Sequence, residues 1–462
     1  MRLLTQRRFF FFMVIAAVYV LYAVAFASSG EAGGDAEEGH GGPVLEILLQ
    51  LIVILLAAKL GGDMFERFKQ PAVLGELVLG MVIGNLHLLG FDVFEPFKHH
   101  VTLEVLAELG VIILLFEVGL ESTVKEMMKV GLASFMVAIF GVIAPFFLGW
   151  GVGALFLPDE SIYVHIFIGA TLTATSVGIT ARVLKDIGKI KTREAKIILG
   201  AAVIDDILGL VILAVVAGII TAVNQGTDEG VSSAAVLWII LKAVLFIVGA
   251  IVIGGFVLPQ YFNLGFKMKV KGVLLSFSLL VCFLLSYLAG MIGLAPIVGA
   301  FAAGLILDEV FVKKFRDRGE QHLHELIAPI ATFMVPIFFV RMGMLVDLTT
   351  FARVEILGFA GLMTLAAIAG KQVCSLAVFD KSINRVAIGL GMIPRGEVGL
   401  IFAGIGAKLM LDGEPVISTS TYSAVVIMVI ITTLVTPPAL IHSLLRGDRK
   451  EAQSTKATPG KA

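Results

Sequence analysis

The sequence predicts an all-α polytopic membrane protein of about thirteen transmembrane helices, arranged as inverted repeats with broken, crossing helices. Three observations carry this. Of 462 residues, 58% are hydrophobic and 15% charged, with a mean hydropathy of +0.99, whereas soluble chains carry roughly 25% charge. Apolar runs follow one another, many near the roughly 20 residues needed to cross a hydrocarbon core. Short motifs of the first half return in the second. Lys+Arg (35) and Asp+Glu (36) cancel, so no basic face invites nucleic acid. Cys282 and Cys374 lie far apart in apolar runs, which excludes a disulfide framework or a cysteine zinc site.

Residues 1–27 read as a signal peptide. Arg2, Arg7 and Arg8 precede an apolar stretch, and Ala25-Phe26-Ala27 is an A-x-A-like cleavage site. An uncleaved helix is the alternative, and either exports the acidic, glycine-rich tail 28–43, which is expected to be disordered. Thirteen runs then fill a transmembrane domain over 44–445: 44–61, 71–90, 101–120, 130–156, 162–184, 197–223, 234–259, 272–291, 294–310, 324–346, 353–373, 385–410 and 417–444. A cytoplasmic tail, 446–462, closes the chain. With the mature N-terminus outside, the basic loops 182–196, 261–271 and 311–323 and the basic tail all fall on the cytoplasmic side. The opposite loops 157–161, 224–233 and 411–416 hold no Lys or Arg, so the positive-inside rule is obeyed nearly everywhere. Strands are not needed, since an open sheet edge cannot face lipid.

The repeats share a register. Pro71-Ala72-Val73-Leu74-Gly75 with Gly80 resembles Pro296-Ile297-Val298-Gly299 with Gly304. Phe116-Glu117-Val118-Gly119 resembles Val340-Arg341-Met342-Gly343. The glycines of each pair lie 224 residues apart. Thr173-Ala174-Thr175-Ser176-Val177-Gly178 answers Pro394-Arg395-Gly396-Glu397-Val398-Gly399. The paired runs have opposite directions, the architecture of secondary transporters, whose sites lie at broken helices near the midplane. The last pair is expected to be two such breaks.

Ionisable groups inside spans are costly and mark function by default. Asp205 and Asp206 stand in Ala201-Ala202-Val203-Ile204-Asp205-Asp206-Ile207-Leu208. Adjacent helical residues are about 100° apart, so these carboxylates face different partners. Arg341 cannot shed its proton and needs a carboxylate: Asp205 first, Glu117, its repeat mate, second. That pair could also be purely structural. Glu76 and Glu397 are auxiliary candidates, or ordinary helix-end carboxylates. Thr173, Thr175 and Ser176 either bond back to a preceding turn or complete an oxygen cage for a hard cation. His87, His99, His100, His322 and His324 read as solvated loop residues without metal spacing. There is no Walker A, GxSxG or HExxH motif, and no cofactor is expected.

In this order these motifs resemble the monovalent cation/proton antiporter superfamily, in the branch of NapA-like sodium/proton antiporters and the membrane part of Kef-type potassium efflux systems. The matching stretches also include Gln70 to Glu76, Leu114 to Glu121 and Gly293-Leu294-Ala295-Pro296. The resemblance implies an NhaA/NapA-like fold and exchange of Na⁺, or of Li⁺ or K⁺, for protons. It implies a homodimer in the bacterial inner membrane, built from dimerisation and core subdomains. It also implies that Asp206 binds the cation and that Asp205 pairs with a basic residue of the tenth run. Electrogenic relatives carry Lys where Arg341 is expected to act, and Arg is more typical of electroneutral ones, whereas the Asp-Asp pair is typical of electrogenic relatives. The two signals conflict on stoichiometry, with Arg341 the harder constraint. A Kef-type potassium transporter lacking its regulatory domain is the alternative, since no GxGxxG-bearing domain follows. An intramembrane aspartyl protease needs two aspartates converging from separate helices, and a channel needs a continuous pore. Neither suits an adjacent pair in an inverted repeat.

Overall fold

The computed structural model describes residues 43–68, 70–121, 131–224, 233–268, 270, 272–307, 322–380 and 383–456. The expected signal peptide lies outside these residues, as does the tail 28–43 except Pro43. Each of the thirteen apolar runs contains helix. The elements are α1 (Pro43–Arg67), α2 (Ala72–Gly84), the short α3 (Glu95–His99), α4 (Val101–Glu121), α5 (Leu132–Phe156), α6 (Ile162–Thr173), α7 (Val177–Asp186) and α8 (Arg193–Asn224). They continue with α9 (Ser233–Phe266), α10 (Val273–Met291), α11 (Pro296–Ile306), α12 (Leu323–Met344), α13 (Val354–Val373), α14 (Arg385–Gly391), α15 (Gly396–Lys408) and α16 (Thr419–Lys456). Among the described residues, 8 helices are long and apolar enough to cross a membrane, and shorter apolar helices accompany them. This is a multi-pass membrane protein.

Two details differ from the sequence reading. A small antiparallel strand pair, β1 (Met410–Leu411) and β2 (Glu414–Pro415), joins α15 to α16. Asp412 and Gly413 both have positive φ, at 53° and 88°, and an Asp-Gly pair turns a two-residue hairpin readily. The helix α16 also continues to Lys456, into the stretch read as a tail.

The described chain forms two compact units, one of 43–111 with 331–348 and the other of 112–330 with 349–456. Prolines start the short helices of both repeats: Pro71 precedes α2, and Pro296 is at the first turn of α11, where its missing N–H costs nothing. Glycines then let backbones touch. In the first unit Gly75 packs on the Gly61 backbone of α1, Gly80 on Val340 of α12, and Gly343 on Leu77 of α2. In the second unit Gly299 packs on Leu285 of α10, Gly304 on Phe116 of α4, and Gly119 on Phe301 of α11. Every contact has its repeat mate. Association between apolar helices in lipid depends on such close approach, because no hydrophobic drive separates protein from lipid tails.

A methyl at these glycines would push two backbones apart. Gly80→Ala and Gly304→Ala are each expected to cost about 1–3 kcal/mol by overpacking, seen as a lower melting temperature in detergent. Gly249→Ala, where nothing lies within 4 Å, is expected to change stability by about 0.5 kcal/mol or less.

Candidate functional site

Both expected breaks are present, and they touch. The chain leaves helical structure at 174–176, between α6 and α7, and again at 392–395, between α14 and α15. Thr/Ser residues at the first break and Pro394 at the second disfavour continued helix. The freed backbone groups find partners across the crossing. Ser176 N–H donates to Pro394 O at 2.8 Å, Thr175 Oγ1 to Met392 O at 3.5 Å, and Thr180 Oγ1 to Gly391 O at 2.7 Å. Gly396 admits the close passage, since a Cβ there would lie 2.5 Å from Ser176 Oγ. Irregular backbone at membrane depth survives only when satisfied in this way.

The helix α8 borders the crossing, packing against α6, α7 and α14. Asp205 on α8 is buried, one turn after Ala201 and Ala202, which belong to an apolar core cluster with Val137, Ile388 and Met392. Its partner is Lys371, near the end of α13. Lys371 Nζ donates to Asp205 Oδ1 at 2.9 Å and to Oδ2 at 3.2 Å, and both side chains have 0% exposure. The lysine is seated by close packing of α13 on α5, where a Cβ on Gly370 would lie 2.8 Å from Pro145 Cα. Gly141 of α5 faces the ammonium group, where a Cβ would lie 3.5 Å from Nζ in ordinary contact. Arg395, in the second break, is also fully buried. It donates to Met392 O at 3.5 Å and Ala367 O at 3.4 Å, and its charge acts on both Asp205 and Lys371. Asp206, the next residue of α8, is half-buried.

This corrects the expected pairing of Asp205 with Arg341. Arg341 belongs to the other unit, where Nη2 lies 3.6 Å from Glu104 Oε2 and donates to Lys98 O at 3.2 Å. Residues 101–111 and 331–344 run antiparallel there, as Gly110 packing on Met334 confirms, and this brings Glu104 to the arginine. The second choice, Glu117, faces His324 at 3.3 Å instead. Thr173 bonds back to Ala170 O at 2.7 Å; Thr175 and Ser176 stand at the crossing. Glu76 is buried in α2, with Lys59 the charge acting on it. Glu397 lies in the first turn of α15, and its side chain lies outside the described residues. Three histidines read as solvated meet carboxylates: besides His324 with Glu117, His87 lies 3.5 Å from Glu95, and His100 lies 3.7 Å from Glu46.

Lys371 and Arg395 were missing from the candidates. A lysine at the end of an apolar run normally snorkels to water, and the run 353–373 put Lys371 at its end. The signal against that reading is the apolar Val373 to Phe379 that follows it; the span continues to Ala377, leaving the ammonium inside. Arg395 was hidden in its Pro-Arg-Gly motif, although the rule for ionisable residues in spans applies to it equally.

Residues 51–445 match the family model for the sodium/hydrogen exchanger, transmembrane. The chain is 41% identical to the high-affinity Na⁺/H⁺ antiporter NhaS3 of Synechocystis sp., over 89% of this chain and 93% of that one. It is 35% identical to the Na⁺/H⁺–K⁺ antiporter GerN of Bacillus cereus, over 87% and 98%. The fold is similar to that of the sodium proton antiporter MjNhaP1 from Methanocaldococcus jannaschii, with a TM-score of 0.60 at 16% identity, covering 87% of this chain and 97% of that one.

Removing one member of a buried ion pair strands the other, at a cost of about 3–5 kcal/mol. Lys371→Met is therefore expected to lower the melting temperature in detergent sharply. The double variant Asp205→Asn, Lys371→Met is expected to recover much of the loss. Additive losses in this cycle would contradict the pairing.

Proposed function

The chain belongs to the sodium/hydrogen exchanger transmembrane family, and from that premise we propose that it exchanges Na⁺ for protons by alternating access, as a secondary transporter and not an enzyme. One observation carries the reading: two adjacent carboxylates stand on a helix that borders two crossed helix breaks, one of them paired with a buried lysine. Asp206 is the carboxylate for the cation, with oxygens of Thr175 and Ser176 as further ligands. Oxygen donors suit a hard cation. A cation and a proton compete for Asp206, and either one neutralises it. The neutral core subdomain crosses the low-dielectric barrier, whereas the empty, charged one crosses poorly. Competition alone then couples the two fluxes, with no cofactor.

Lys371 removes the ground for an electroneutral cycle. A lysine releases its proton when its counter-charge is taken, and an arginine does not. If a cation at the aspartates draws Asp205 away from Lys371, the ammonium loses its proton. One proton is then displaced from Asp206 and one from Lys371, giving two protons per cation. The reading includes a homodimer in a bacterial inner membrane, N-terminus outside and C-terminus cytoplasmic, which the loop charges support. Because the relative GerN is named for K⁺ as well as Na⁺, K⁺ belongs in the test beside Na⁺ and Li⁺.

In everted vesicles, Na⁺ is expected to dissipate a proton gradient, and Asp206→Asn to abolish this. Near-normal exchange in that variant would remove Asp206 from the site. Asp206→Glu is expected to retain exchange with altered cation preference. The apparent KM for Na⁺ is expected to rise about tenfold per unit fall in pH where one displaced proton is bound and roughly a hundredfold where both are, as mass action requires.

Stoichiometry is read on a solid-supported membrane. The wild type is expected to give a transient current on a sodium step at symmetrical pH. Lys371→Arg is expected to exchange without that current. A wild type that exchanges without current would replace two protons by one.

A further inference from the structure

The second break leaves two carbonyls at the end of α14 in need of donors. Met392 N–H turns back to Gly389 O at 3.1 Å, and Ile393 N–H to Leu390 O at 3.3 Å. The carbonyls of Gly391 and Met392 follow, past the last backbone donors of the helix. Both are served by hydroxyls of the first broken helix, but unequally. Thr180 Oγ1 reaches Gly391 O at 2.7 Å, whereas Thr175 Oγ1 reaches Met392 O at 3.5 Å. Thr180 has 0% exposure. Arg395 Nη1 also serves Met392 O, so Thr175 can leave that carbonyl without orphaning it. Thr180 cannot leave Gly391 on the same terms.

Gly391 also meets the helix that carries the aspartates. A Cβ there would lie 2.6 Å from Ile198 Cδ1. Ile198 and Asp205 are seven residues apart on α8, about two turns, and so lie on one face.

We infer that Thr180 is a positioning residue: its hydroxyl fixes the end of α14 against α8, holding the crossing in register with the aspartates and leaving Thr175 free to turn to a cation. Thr180 touches no ion itself. The inference rests on the exchange reading above for its effect on transport, but not for its effect on the backbone.

The test compares Thr180→Val, which keeps the shape and removes the donor, with Thr180→Ser, which keeps the donor. In Thr180→Val, amide hydrogen exchange over 391–396 is expected to speed about tenfold, the scale of one buried acceptor left unpaired, with Thr180→Ser close to wild type. In proteoliposomes, the apparent KM for Na⁺ is expected to rise about tenfold in the valine variant, with maximal rate changed about twofold or less and the Na⁺/Li⁺ preference altered. Serine is expected to restore all three. Unchanged hydrogen exchange in Thr180→Val, or equal effects of valine and serine, would overturn the positioning role. A valine variant that melts lower but keeps the wild-type KM and preference would make Thr180 merely structural. Wild-type protein that exchanges no cation would overturn the exchange reading instead, and the hydrogen-exchange comparison would still decide the backbone role.

Discussion

An ammonium and a carboxylate held 2.9 Å apart with neither in contact with water constrain everything around them. Moving either ion out of water costs several kcal/mol, and their attraction repays this only when geometry is good and partners are complete. The close passage of α13 over α5 at Gly370 and Pro145 and the apolar cluster of α5, α8 and α14 provide that geometry. A purely structural pair could be replaced by packed apolar residues with no loss. A transporter gains from keeping it, because one partner can be released when another ion arrives.

The second unit therefore combines rigidity and instability. Its helices approach through glycines and satisfied backbone groups, whereas its centre holds four ionisable residues that ordinary membrane packing would exclude. Asp205, Asp206, Lys371 and Arg395 sit on three separate stretches of chain, α8, α13 and the second break. A shift of one stretch against another changes which charges meet. Such bistable contacts are what convert a local ion exchange into a domain movement.

Much of this was legible in the sequence. Helix spans followed from apolar length, the breaks from Thr/Ser and Pro/Gly at matching positions, and the aspartates from their cost in an apolar run. The repeat was legible to the residue, because Gly80 and Gly304 meet repeat-related backbones, Val340 and Phe116. Partnership was not legible. Arg341 needed a carboxylate, and several stood in nearby runs; only the antiparallel approach of two helices selects Glu104 over Asp205 or Glu117. Lys371 stood where a span was read to end, and a snorkelling lysine and a buried one look alike until the packing beyond them is known. The histidines show the same limit, since a loop position does not reveal a carboxylate from another element.

The crossing has an electrical property that its parts do not. The C-terminal ends of α6 and α14 and the N-terminal ends of α7 and α15 meet there, and each helix end carries about half an elementary charge, negative at C-termini and positive at N-termini. Two ends of each sign sum to no net charge. Charges that sum to zero leave a field that falls off more steeply with distance than that of a single charge. The helix ends therefore act on a cation chiefly at close range, inside the roughly 8 Å over which physiological salt screens. Inert salt in the bath has correspondingly little hold on what the helix ends contribute.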